Sequence, residues 1–332
     1  MIGWWISVAV AVAVPEPELH RVETSDGSYV GLSHRPGNGE PVLVVHGISS
    51  NHRCWDLEGG PSLAIALHEA GFDPWLLDLR GHGLAEVDPN GVRQSRGGSV
   101  DDYGKYDVPA ALDFVIQETG AERVHYVGHS MGGMVLAVAL NHQPDLPVDR
   151  LAVVGTPMDF SDPDRSTHFL MRAGRVGSWF VRALPSPWAA AVHARFGSPF
   201  PVDEMLFNDI QSPVRERMYD QIVSPLYARE LRQLETVGRL GAFVDVNRSE
   251  DYLASLEKIR HPTLVLAGRG DRIAPPDRVA AFYLRIGSTE KRMVVAGKST
   301  GFEVDYGHLD LPLGAHADEE IFPLIVDWLA TE

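Results

Sequence analysis

The chain contains a single cysteine, Cys54, in 332 residues. No intramolecular disulfide can form and no thiolate zinc site can be assembled, so stability rests on packing. Positive charge is also scarce: Lys and Arg total 29 against 45 Asp and Glu, a formal net charge of −16, and lysine occurs only at Lys105, Lys258, Lys291 and Lys298. A nucleic acid would meet net repulsion instead of a basic footprint, which excludes polyanion binding as the main activity. The apolar run Ile2 to Val14, which ends at Pro15, is too short to span a bilayer: as a helix it covers roughly 20 Å of a hydrocarbon core of about 30 Å. No Lys or Arg precedes it as a secretory signal requires, although Ala11 and Ala13 make a small-residue cleavage pattern. Residues 1–17 are read as an apolar N-terminal segment, packed on the body of the protein or making peripheral membrane contact through residues 2–14. A cytoplasmic or peripheral-membrane location is expected ahead of secretion.

What is present is the composition of a soluble globular protein, 44% hydrophobic and 22% charged. Apolar runs of the buried parallel type alternate with amphipathic stretches. His20 to Val22 and Tyr29 to Ser33 predict an opening hairpin across Ser25-Asp26-Gly27-Ser28. Strands are then expected at Val42 to Val45, Trp75 to Leu79, Val124 to Val127, Leu151 to Val154, Thr263 to Ala267 and Arg292 to Val295. Helices are expected at Leu63 to Ala70, Asp101 to Glu118, Met131 to Asn141, Pro276 to Ile286 and Asp318 to Ala330. This is the α/β class, with a mostly parallel central sheet covered by helices on both faces.

The rhythm breaks between Gly155 and about Leu256, a Pro-rich, helix-like stretch with no strand of the buried parallel type. The expected organisation is a core of residues 18–157 and 257–332, interrupted by an inserted helical cap at 158–256. Phe169, Met171, Trp179, Phe180, Trp188, Phe196, Phe200, Phe207, Tyr219 and Tyr227 give this stretch more apolar surface than a linker needs. They are expected to form the cap's own small core, with some facing a pocket.

The decisive signal is Gly128-His129-Ser130-Met131-Gly132, followed by Gly133, where a short β-branched strand meets a helix. This is the G-x-S-x-G nucleophile elbow. Side chains at the flanking positions would collide with neighbouring backbone on so tight a turn, and the serine hydroxyl is thereby exposed. The new helix begins at the elbow, so the Met131 amide points in front of Ser130 with the positive end of the helix dipole behind it. A second oxyanion donor is expected from the loop after the first central strand, Val45-His46-Gly47-Ile48, with the Ile48 amide as the candidate. Removing one such donor typically costs about 3 kcal/mol of transition-state stabilisation. His46 itself is expected to order the loop.

A serine hydroxyl needs a base, and the base needs an orienting acid. Chain order Ser, Asp, His selects Asp271, in the Gly-rich loop Ala267-Gly268-Arg269-Gly270-Asp271-Arg272, and His308, in Asp305-Tyr306-Gly307-His308-Leu309-Asp310. The alternative for Asp271 is a surface salt bridge with Arg269 or Arg272, and Asp159 is the second candidate acid. His82 and His129 fit less well as bases.

These stretches together resemble an α/β-hydrolase, and within that superfamily the acid-lipase type of serine esterase. The resemblance covers nearly everything after residue 17. It is carried by Val22-Glu23-Thr24-Ser25-Asp26-Gly27, His46-Gly47-Ile48-Ser49-Ser50, Leu77-Asp78-Leu79-Arg80-Gly81, Asp102 to Ala110 with Thr119-Gly120, the serine elbow and His308-Leu309-Asp310. It implies hydrolysis of lipid esters through Ser130, His308 and Asp271, the residues reached independently above. Met131 stands where those families carry Gln, and there are no cysteines for a cap disulfide.

The expected function is carboxylic ester hydrolysis through an acyl-enzyme on Ser130, falling off as acid protonates His308. The expected partner is a small-molecule or lipid ester, and this chemistry implies no metal or organic cofactor. An acyltransferase, thioesterase or polyester depolymerase would use the same triad. A binding module that kept the fold and lost the chemistry would predict ligand binding without turnover. Dehalogenase and epoxide-hydrolase chemistry would need a carboxylate at position 130.

Overall fold

The hairpin β1 (Glu18–Glu23) and β2 (Tyr29–His34) opens the chain of this computed structural model, which describes residues 14–94, 97–161, 183–184, 187 and 202–331. The apolar segment before Val14 and the aromatics from Phe169 to Phe180 and from Trp188 to Phe200 lie outside the described residues. After the hairpin come β3 (Pro41–Val45), α1 (Leu63–Glu69), β4 (Asp73–Asp78), α2 (Val108–Thr119), β5 (Val124–His129), α3 (Met131–His142) and β6 (Val148–Val154). A two-residue strand β7 (Ala183–Leu184) follows, then α4 (Ser212–Gln221), β8 (Leu226–Tyr227) and α5 (Ala228–Leu240). The chain closes with β9 (Thr263–Gly268), α6 (Pro276–Arg285), β10 (Lys291–Ala296) and α7 (Phe322–Leu329).

Eight strands form one sheet in the order β1-β2-β4-β3-β5-β6-β9-β10. Pairing is parallel from β4 through β10 and antiparallel only where β2 meets its two neighbours. Every residue of β3, β4, β5 and β9 is buried, which is why apolar side chains dominate them with no polar alternation facing solvent, the few polar ones such as Asp73, Asp78 and His125 being buried too. Their two-residue period still sorts side chains to opposite faces. Leu43 and Val45 join the cluster under α2, α3 and α6, while Val42 and Val44 join the one under α1 and α7. No helix among the described residues is long and apolar enough to cross a membrane.

Several boundaries move. The strand expected from Trp75 to Leu79 runs from Asp73 to Asp78. The helix expected to start at Asp101 starts at Val100, capped by Ser99: its hydroxyl accepts from the Asp102 amide while the Asp102 carboxylate accepts from the Ser99 amide. One wide turn at Tyr103–Asp107 then leads into α2. The last helix likewise opens through a wide turn at Ala317–Ile321 before α7.

Arg80 ties together three of the stretches that carry the family resemblance. Its Nε donates to Asp107 Oδ1 at 2.7 Å and its Nη1 to Asp26 Oδ2 at 2.6 Å, so the hairpin turn, the end of β4 and the approach to α2 share one buried cation.

Of the aromatics between β6 and β9, Phe207 and Tyr219 pack into the cluster that holds Trp55 and Leu311. Tyr227 lies across Gly81, whose carbonyl accepts its hydroxyl at 2.8 Å. All three are buried, and Phe207 and Tyr219 also pack edge to face on each other with ring centroids 6.4 Å apart.

Candidate active site

Ser130 stands between the end of β5 and the start of α3 with φ 52° and ψ −117°, a backbone state that L-residues rarely adopt. The surroundings hold it there. Its amide donates to Val154 O at 2.8 Å, its carbonyl accepts from Thr156 Oγ1 at 2.9 Å, and Tyr126 donates its hydroxyl to Gly132 O at 2.8 Å. The flanking glycines are required by close approach: a Cβ on Gly128 would lie 2.8 Å from the Gly132–Gly133 peptide, and one on Gly132 would lie 2.6 Å from Val45 O.

Asp271 follows β9, and His308 follows β10. The structure brings both to the serine. His308 Nε2 lies 2.9 Å from Ser130 Oγ, and His308 Nδ1 lies 2.7 Å from Asp271 Oδ2. With Nδ1–H donated to the carboxylate, the Nε2 lone pair faces the hydroxyl. All three residues are buried, so the serine hydroxyl that the tight turn was expected to expose is instead covered. The other oxygen of Asp271 accepts from the amides of Ile273 at 2.8 Å and Ala274 at 2.7 Å. The carboxylate is thus turned inward to His308, away from the surface ion pair considered as its alternative. Asp159, the second candidate acid, accepts from the Ser161 amide at 2.9 Å and so serves its own turn.

The Met131 amide is the first of α3, and the loop that carries Ile48 comes close to the serine: a Cβ on Gly47 would lie 3.1 Å from Ser130 Cβ. His46 is buried, and burial lowers its pKa. As a neutral ring it accepts from the Leu79 amide at Nε2, 3.2 Å, and donates from Nδ1 to Gly47 O, 2.7 Å. It therefore orders the loop, as expected. Burial also pushes His82 down to about 3 and His129 well below the ordinary imidazole value. His82 Nδ1 lies 3.2 Å from Arg80 O, and His129 donates from Nε2 to the His308 carbonyl at 3.1 Å.

Three supporting groups escaped the sequence reading. Asp310 accepts from the amides of Gly307, Asn208 and Asp209 at 2.6, 2.7 and 3.1 Å, fixing the loop that carries His308 against the segment before α4. Asp78 accepts from the amides of His52 and Leu84, at 2.6 and 2.7 Å, and from the His52 ring at 2.7 Å. The segment after α4 holds the loop beyond Ile48: Ser49 Oγ donates to Ser224 O at 2.7 Å, the Ser224 amide donates back to Ser49 O at 3.0 Å, and Asn51 Nδ2 donates to Gln221 O and Ile222 O at 3.0 and 2.9 Å. A buried acid two residues from the histidine and a polar Ser-Ser-Asn run after the His-Gly turn were the available signals.

Comparison with known proteins agrees with this architecture. Residues 40–312 match the model of the alpha/beta hydrolase fold. Lipase 3 of Drosophila melanogaster is 32% identical over 201 residues, which cover 57% of this chain and 46% of that protein. Human gastric triacylglycerol lipase is 33% identical over 144 residues, covering 39% and 36%, and human lysosomal acid lipase/cholesteryl ester hydrolase 32% identical over 142 residues, covering the same shares. The chain thus matches less than half the length of these curated relatives. Among solved structures, an esterase from Exiguobacterium antarcticum superposes with a TM-score of 0.63 at 18% identity, covering 94% of this chain and 99% of that one, a likeness of fold. With its sheet order, its strained serine turn and a family match across most of its length, the chain belongs to the alpha/beta hydrolase fold family.

Proposed function

We propose that this protein is a serine hydrolase of carboxylic esters, an esterase or lipase. The observation that carries the reading is the continuous chain of contacts from Ser130 Oγ through His308 to Asp271, at 2.9 and 2.7 Å. Support for esters as substrates comes from the lipase relatives. In the first half-reaction Ser130 Oγ attacks the ester carbonyl while His308 Nε2 takes its proton, and the oxyanion is held by the amides of Ile48 and Met131. The tetrahedral adduct collapses to an acyl-enzyme as His308 returns that proton to the leaving alcohol. Water, deprotonated by His308, then attacks the acyl group, and the acid leaves with Ser130 restored. Asp271 holds the imidazole in the tautomer this needs. Residues 158–256 act as a cap inserted into a core of 18–157 and 257–332.

The test is hydrolysis of p-nitrophenyl esters from acetate to palmitate by the wild type and by Ser130→Ala. Turnover by the wild type and its loss in the variant are expected, with the chain-length optimum separating esterase from lipase. A folded wild type that turns over none of the esters would overturn the reading.

A further inference from the structure

The geometry points to a zinc-type divalent-cation site on the opening hairpin, formed by Glu18, His20 and His34 and separate from the serine. Strand register creates it. Glu18 pairs directly with His34 across β1 and β2, and the two-residue period of β1 puts His20 on the same face as Glu18. Glu18 Oε2 lies 4.0 Å from His20 Nε2 and 3.9 Å from His34 Nδ1, and the three donor atoms all fall within 4.8 Å of one another. A tetrahedral ion with bonds of about 2.1 Å wants its donors roughly 3.4 Å apart. Glu18 is exposed, so its side chain is free to swing in and close the set.

Two further observations turn this cluster into a site. His20 Nε2 and His34 Nδ1 are both shielded from solvent without a hydrogen-bond partner, an expense that an ion between them would offset. His34 is also held as a metal-binding imidazole is held: Asp73 Oδ1 takes its other ring nitrogen at 2.7 Å, leaving the Nδ1 lone pair directed at Glu18. Asp73 is fixed in turn by Trp75 Nε1 and the Gly37 amide, each at 2.7 Å. Trp75 stacks on the His34 ring with centroids 3.5 Å apart, and His20 packs against Trp75 and Phe114 at 5.5 and 5.3 Å. Two imidazoles and one carboxylate suit zinc and the neighbouring late first-row ions, not the all-oxygen shells of calcium or magnesium. A cleft lined by Asn38, Glu118 and Thr119 opens beside them and gives a fourth ligand, water, room to bind. The lone cysteine rules out a thiolate site, and this one needs none. Bound there, the ion would clamp the edge strand β1 to β2.

The test uses untagged full-length protein, stripped with EDTA and desalted, then titrated with ZnCl2 by calorimetry and with CoCl2 by visible absorption. One equivalent of each is expected, Co2+ with the intense absorption of a tetrahedral ion. His20→Gln and His34→Gln should each weaken Zn2+ binding at least about tenfold, and Asp73→Asn about 10- to 100-fold through the lost orienting contact. Glu18→Gln, at an exposed side chain, keeps the fold and should also bind at least about tenfold more weakly, which covers the case in which a histidine variant does not fold. Ester turnover, which uses none of these residues, reports that each protein is intact. A wild type that takes up no stoichiometric Zn2+ or Co2+, or Glu18→Gln and the folded histidine variants binding as the wild type does, would overturn the site.

Discussion

His46 and Gly47 are neighbours in the chain, and the ring Nδ1 of one lies 2.7 Å from the carbonyl oxygen of the other. That carbonyl shares a planar trans peptide with the Ile48 amide, so fixing the oxygen fixes the direction of the N–H on the far side of the plane. His46 thereby aims the amide proposed to meet the oxyanion. His46→Phe keeps a buried ring and removes both contacts. It should lower kcat by about 10- to 100-fold on a p-nitrophenyl ester with KM changed by no more than about twofold, because the lost interaction exists mainly in the transition state. Steady-state kinetics of the two proteins decide this; an equal rise in KM with kcat unchanged would contradict it.

Asp271→Asn should cost more. The amide can present its NH2 to His308 Nδ1, which reverses the imidazole tautomer and points an N–H at Ser130. A drop in kcat of about 10,000-fold is expected without loss of fold. A fluorophosphonate probe should label wild-type Ser130 rapidly and the variant only slowly, as followed by intact mass.

The elbow glycines should tolerate no side chain. In Gly132→Ala the new methyl meets Val45 O at 2.6 Å, at the end of the strand that leads into the loop carrying Ile48. Destabilisation of about 2–3 kcal/mol is expected, read as a lower urea midpoint, together with loss of turnover before unfolding begins. An unchanged midpoint would show that the close approach is relieved at no cost.

Glu230 gives a pH signature unconnected with the serine. It is fully buried near the start of α5, with one oxygen accepting from the Tyr227 amide at 3.4 Å and the other without a partner, and burial pushes its pKa up to about 8. An unfolded glutamate titrates near 4.3. Between about 4.3 and 8 the folded chain therefore holds a proton that the unfolded chain has lost, and this residue's contribution to stability falls as pH rises through that window. Glu230→Gln imitates the protonated acid. It should match the wild type near pH 4.5 and melt higher at pH 8.5, by on the order of 5 °C. Thermal melts at the two pH values test the sign, and a variant less stable at pH 8.5 would refute it.

Much of this was legible because it is local. A glycine two residues to either side of a serine, at a junction between a β-branched run and a helical one, announces a tight turn whatever surrounds it, and the order of strand-end loops nominates Asp271 and His308. The start of the helix before α2 was misplaced because an Asp was read as its opening when Ser99 and Asp102 form the reciprocal cap. Asp310 and Asp78 went unassigned because their partners are backbone amides of other loops, which only the folded chain brings near. Glu18, His20 and His34 were hidden for the same reason: their common face is made by pairing two strands, and no spacing along either strand spells it. Phe207, Tyr219 and Tyr227 announced burial correctly and their destination not at all, since apolar surface carries no address.

The contacts from Ser49 and Asn51 to residues 221–224 make one mechanical unit of two parts that the chain keeps far apart. A substitution at residues 221–224 therefore bears on the loop beyond Ile48 as directly as one at Ser49 or Asn51 would. The loop's shape is thus written partly in a stretch of sequence some 170 residues away, and truncating Asn51 to Ala would cut both of its side-chain ties to Gln221 and Ile222 at once.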